Sequence, residues 1–157
     1  MATSIFTIDT AHSIAHPIAA VFAFFADAFN LQRITPPWLH FQVITPGPIE
    51  MRVGAIIDYR IRLHGIPIRW RSEITAWDPP FRFVDEQRRG PYRLWRHEHT
   101  FEERRGLTLV RDHVDYAVTG GWLVNRLVVR RDLDRIFAFR GAALESVFPS
   151  ACGAARV

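Results

Sequence analysis

At Gly120-Gly121 the hydrophobic period of the chain changes from two residues to between three and four, and this switch restricts the fold more than any other feature. Upstream, Ile57, Tyr59, Ile61 and Leu63 alternate with Asp58, Arg60 and Arg62, the pattern of a strand with one dry and one wet face. Downstream, Val129, Leu133, Ile136, Phe137, Ala143, Leu144 and Val147 recur at helical spacing. The spacing predicts a helix over Trp122 to Phe148, about 40 Å long at 1.5 Å per residue. Arg126, Arg130, Arg131, Asp132, Asp134 and Arg135 cover its outer side, and Pro149 ends it.

Turn residues divide the segment before the switch. Ser4 to Ser13 reads as a first strand, and His16-Pro17 starts a helix with Pro at the first helical position. Ile18, Val21, Phe22 and Phe25 give that helix a buried stripe. A second short helix around Ala28 to Ile34 stops before Pro36-Pro37. Six strands are then expected: His40–Thr45, Ala55–Leu63, Pro67–Trp77, Arg82–Gln87, Tyr92–Glu103 and Leu107–Val118. Pro and Gly supply the breaks, and short connections make neighbours antiparallel. The expected fold class is α+β: a curved seven-stranded antiparallel sheet wrapped around the long C-terminal helix, the only element large enough to cover the dry face. The space left between them is the proposed ligand site.

A chain of 157 residues, 48% hydrophobic and 13% aromatic, is expected to form one domain over residues 1–148, with a loose tail over 149–157. All 20 basic residues are Arg, with a formal charge of +4. They are spread among apolar residues, as in Arg60-Ile61-Arg62 and Arg69-Trp70-Arg71, without the patch or motif a nucleic-acid partner requires. No apolar run approaches the roughly 20 residues that span a bilayer, and Cys152 has no partner cysteine. A cytoplasmic location is expected, with no stable membrane insertion.

Chemistry concentrates in FVDEQRRGPYRLWRHEHTF, Phe83 to Phe101. Strand alternation places Trp95, His97, His99 and Phe101 on one side, and two imidazoles bracketed by aromatic rings suggest a pocket. Asp112 falls on the same inward face, with Val110, Val114 and Tyr116. The HxH pair with Asp112 can be read as a metal chelate, as a polar network of imidazoles held by a buried carboxylate, or as an acid–base set. HxH without supporting cysteines is a weak metal signal, so no metal or other cofactor is expected. Asp85 shares a face with Phe83; it is either a pocket-mouth carboxylate needing Arg93 or a histidine, or a surface residue pairing with Arg71 or Arg96. Tyr59, Trp70, Phe83, Trp95, Phe101, Phe137 and Phe139 either line a cavity or fill a core. Gly90-Pro91 and Gly120-Gly121 form the expected movable rim.

The order of elements, Pro17 with Val21-Phe22, Asn30-Leu31 before Thr35-Pro36, and the FVDEQ…GPY…WxHxHxF run together resemble the START/Bet v-type helix-grip superfamily. The match is to its bacterial polyketide-cyclase-like, SRPBCC-type members, one subgroup of which carries a cell-division-inhibitor-like label, and it covers roughly residues 3 to 148. The resemblance implies a hydrophobic cavity for a lipid, quinone or polyketide-like molecule, in relatives that range from carriers to aromatase/cyclases. The preferred reading is non-enzymatic binding of such a molecule by Tyr59, Trp70, Phe83, Asp85, Tyr92, Trp95, His97, His99, Phe101, Asp112 and Phe137. A cyclase/dehydratase-type enzyme without metal, its catalytic residues unassigned, or an interaction module, with a homodimer as one form, are the alternatives.

Overall fold

Alternation turns the middle of the chain into sheet, as the computed structural model of the protein shows for residues 3–150. The strands are β1 (Phe6–Ile14), β2 (Gln42–Val43), β3 (Ile56–Leu63), β4 (Ile66–Asp78), β5 (Arg82–Arg89), β6 (Leu94–Arg104) and β7 (Leu107–Ala117). They form one antiparallel sheet in the order β1-β7-β6-β5-β4-β3-β2. Register shifts between Arg71 and Ser72 and between Ile74 and Ala76 interrupt the β4–β5 ladder. Such irregularities bend a sheet, and this one curves around the C-terminal helix.

Helix α1 (Ile18–Ala26) begins one residue later than expected. Pro17 caps it from outside: the Pro17 carbonyl accepts from the N–H groups of Ala20 and Val21. The turn over Ala28–Ile34 is a 3-10 helix opened by Asp27, whose carboxylate accepts from the Phe29 N–H at 2.9 Å. The strand expected over His40–Thr45 contracts to Gln42–Val43, because His40 takes left-handed backbone angles (φ 44°) after a 3-10 turn over Pro37–Leu39. The strand expected to start at Tyr92 starts at Leu94. Ahead of it, the Gln87 side chain donates to the Tyr92 carbonyl at 2.7 Å and accepts from the Tyr92 N–H at 3.3 Å, holding the Gly90-Pro91 turn in place of ladder bonds.

The C-terminal helix runs 27 residues, through α2 (Gly121–Val124), a π turn (Asn125–Val129) and α3 (Arg130–Val147). Its stripe, Leu133, Phe137 and Leu144, is buried against the sheet. At Gly141 the helix meets β1 so closely that an added Cβ would come within 2.6 Å of His12 Cε1. Two apolar groups fill the interior. One gathers Val21, Phe22, Phe25, Ile57, Phe83 and Phe101. The other gathers Ile8, Trp95, Val114, Tyr116, Leu133 and Phe137. Among the described residues no helix is long and apolar enough to cross a membrane. Cys152 and most of the expected tail lie outside the described residues.

The solvent face of the sheet carries ion pairs, and one sets a pH response. His113 on β7 donates to Asp9 on β1 and lies 3.4 Å from Asp115, with Glu98 opposite on β6 held by Arg82 and Arg96. The Asp9 hydrogen bond raises the His113 pKa despite some desolvation, with the charges of Asp9 and Asp115 adding to the rise. A raised pKa means that the stabilisation is complete below the unfolded value, about 6.5, and is lost as pH climbs through the folded value. His113→Gln is expected to remove that loss, a change of at most about 1 kcal/mol for so exposed a pair, readable by urea unfolding at several pH values.

Candidate functional site

Strands β5, β6 and β7 each contribute polar side chains to the concave face at one level, and α3 closes it from above. Register places Asp85 opposite His97, and His99 opposite Asp112. His97 Nε2–H donates to Asp112 Oδ1 at 2.9 Å. His99 Nε2–H donates to Asp85 Oδ2 at 3.1 Å. His99 Nδ1 lies 2.8 Å from Asp112 Oδ1 but out of line for a hydrogen bond, and has no other partner. From the helix, Arg140 Nε and Nη2 donate to Asp112 Oδ2 and Oδ1 at 3.2 and 3.3 Å. The rings are held by packing: His99 stacks on Phe83 at 4.2 Å, and the two imidazole centroids are 3.8 Å apart.

Burial and charge act against each other throughout this cluster. Burial opposes the Asp112 carboxylate, but Arg140 and the two histidines hold its pKa well below the ordinary range. Burial likewise opposes Asp85, and the His99 hydrogen bond with the nearby histidine and arginine charges prevails to lower it. For His97, burial and the neighbouring His99 lower the pKa in spite of Asp112 and Asp85. For His99, burial lowers it, yet the close approach of Asp112 and the hydrogen bond to Asp85 raise it overall. The lowered carboxylate values keep Asp85 and Asp112 ionised beside the Arg140 guanidinium, and burial favours the neutral form of His97.

Above this cluster lies a cavity of about 180 Å³. Its walls are mainly apolar, with Phe25, Ile57, Ile61, Ile74, Leu133 and Phe137 prominent, and Leu31, Thr35, Leu63 and Ile136 are half-buried on the side nearer solvent. Of the residues expected at the site, Tyr59, Trp70, Phe83, Asp85, Tyr92, Trp95, His97, His99 and Phe137 line the cavity. Phe101 does not: its ring packs against Phe22 and Phe25 in the core. Asp112 lies beneath the histidines with a fully buried side chain. Phe139 packs on Trp38, away from the cavity. Asp85 turns inward to the histidines and does not pair with Arg71 or Arg96; its neighbour Glu86 faces outward and meets Arg88 and Arg96. Tyr59 and Tyr92 bring hydroxyls whose pKa values burial raises, so both stay protonated donors.

Arg140 is the residue that pattern reading passed over. The signal was present: position 140 falls three after Phe137 and four before Leu144, on the buried stripe of the helix, where an arginine needs an internal carboxylate.

The family model for polyketide cyclase / dehydrase and lipid transport matches residues 14–145. The chain belongs to that family. Among solved structures, protein CV1439 from Chromobacterium violaceum is 13% identical with a TM-score of 0.73, covering 92% of this chain and 99% of that one. The ZhuI aromatase/cyclase from Streptomyces sp. R1128 is 16% identical with a TM-score of 0.65, covering 97% and 100%. Major latex-like protein 151 from Panax ginseng is 11% identical with a TM-score of 0.64, covering 93% and 99%. At such identities the likeness is one of fold, and it places this polyketide cyclase/dehydrase family member with helix-grip proteins. A search of curated protein sequences finds no match.

Proposed function

We propose that the protein binds a small aromatic or otherwise apolar molecule bearing a polar oxygen group, held between the sheet and α3. The observation that carries this is the mainly apolar cavity of about 180 Å³, into which Asp85, His97 and His99 bring a cluster of titratable groups from two adjacent strands. A cavity of about 150 Å³ holds a benzene ring, so this one suits a compact molecule of one or two rings, and a long lipid would need the half-buried side to open. Asp85, His97 and His99 would orient the oxygen function, and the ring stack of Phe83 on His99 would hold the wall rigid.

A second reading, a cyclase/dehydratase, draws on the Asp85–His99 hydrogen bond, a carboxylate–imidazole pair in the cavity wall. Native mass spectrometry of the untagged protein tests both. A stoichiometric apolar compound released on denaturation is expected, and its recovery unchanged after incubation in excess favours a carrier. Loss of water or ring closure in that compound favours the enzyme. An apo-protein that also fails to take up any of a panel of one- and two-ring phenols, quinones and ketones would overturn the binding reading.

A further inference from the structure

The inward-facing ring nitrogens are arranged around the carboxylate of Asp85 in a way that small-molecule orientation does not require. A single carboxylate, Asp112, takes the far side of both imidazoles: its Oδ1 is 2.9 Å from His97 Nε2 and 2.8 Å from His99 Nδ1. This leaves the other nitrogen of each ring, His97 Nδ1 and His99 Nε2, turned toward Asp85 Oδ2, at 3.9 and 3.1 Å. One donor atom from each of Asp85, His97 and His99 lies within 4.8 Å of the other two. We infer that Asp85 Oδ2, His97 Nδ1 and His99 Nε2 form a three-ligand site for a divalent transition-metal ion, its remaining coordination position facing the cavity.

Distance, charge and outer support agree with this assignment. Two donors on one tetrahedral Zn²⁺ at about 2.1 Å are about 3.4 Å apart, between the two separations measured to Asp85. Each of the two separations to Asp85 is thus within about 0.5 Å of the tetrahedral value. Two carboxylates face one permanent cation here, and Arg140 is committed to Asp112, so the pocket around Asp85 has room for positive charge. Asp112 plays the part an outer carboxylate plays at histidine-ligated metals: it takes the His97 Nε2–H, which leaves Nδ1 for the ion, and it lies 2.8 Å from His99 Nδ1. Arg140 fixes Asp112 in turn. Three protein ligands with one position open to an apolar cavity match the layout of zinc sites that bind a substrate or water, and an oxygen function on a cavity ligand would meet the ion directly.

The test is titration of chelator-treated, untagged full-length protein with Co²⁺, read by the visible absorption of four-coordinate cobalt, followed by displacement with Zn²⁺. One equivalent is expected to bind, and Zn²⁺ to abolish the band. Asp85→Ala and His99→Gln should each weaken Co²⁺ binding at least 100-fold, and Asp112→Asn, which removes no ligand, 10- to 100-fold. His113→Gln, on the outer face, should leave it unchanged. Should the inner variants fail to fold, paramagnetic shifts in the wild type decide: they are expected to centre on the rings of His97 and His99. Absence of a stoichiometric band, unaltered binding in a folded Asp85→Ala protein, or shifts centred on His113 would each overturn the assignment. None of these readouts depends on whether an organic ligand is bound.

Discussion

Asp112→Ala is expected to cost about 3–5 kcal/mol of folding stability, far more than the loss of one small side chain, because it strands the buried Arg140 guanidinium and the His97 Nε2–H. Arg140 is 7% exposed and donates two hydrogen bonds to the Asp112 carboxylate. Asp112→Asn keeps an acceptor oxygen in place and is expected to cost less. Arg140→Met should be milder still, since His97 continues to donate to Asp112 and the Met side chain fills the same apolar stripe. The double variant Asp112→Ala/Arg140→Met should recover part of the loss, as removal of both members of a buried pair generally does. Urea unfolding of the four proteins measures these differences. A cost under about 1 kcal/mol for Asp112→Ala would mean that water reaches the cluster and that its burial does not govern the fold.

Filling the cavity should separate binding from folding. Ala28 and Ile61 line the space from opposite sides, one on the 3-10 turn and the other on β3, and neither carries a polar side-chain group. Ala28→Phe and Ile61→Trp add ring volume where the wild type has space, so the usual 1–3 kcal/mol penalty for overpacking should be reduced. Each variant is expected to bind a neutral fluorescent probe such as N-phenyl-1-naphthylamine at least tenfold more weakly, a loss of about 1.4 kcal/mol in binding, while its thermal midpoint stays within a few degrees of the wild type. Equal affinity in the wild type and both variants would put the probe on the surface, where Trp122, Leu123 and Leu127 are more than half exposed.

Where the amino-acid pattern determined a periodicity, it also determined the structure. Ile57 to Leu63 and the stripe through Leu133, Phe137 and Leu144 are legible because one face of each element is wet and the other dry. The period change at Gly120-Gly121 therefore located the helix within a residue at each end. His40–Thr45 misled because its apolar residues sit after a proline turn that forces left-handed geometry at His40, which no alternation reveals. The inward set Trp95, His97, His99 and Phe101 followed from strand parity, but parity cannot tell a cavity wall from a core contact. Phe101 fell to the core because α1 brings Phe22 and Phe25 down onto it. Asp85 could be placed only by cross-strand register, which sets it opposite His97 and is not written in either strand alone. Arg140 needed one more step, treating a charged residue on an apolar stripe as a demand for a buried partner.

The central claim is that a small apolar molecule sits between the sheet and α3, and methyl NMR of the isoleucine- and leucine-labelled protein tests its position directly. On saturation with a one- or two-ring aromatic ketone, the methyl signals of Ile57, Ile61, Ile74 and Leu133 are expected to shift, all four lining the cavity. Those of Ile5 and Leu107, which lie outside it, should stay in place. Shifts confined to Leu123 and Leu127 on the outer face of the helix, or no shifts under saturating ligand, would contradict the account.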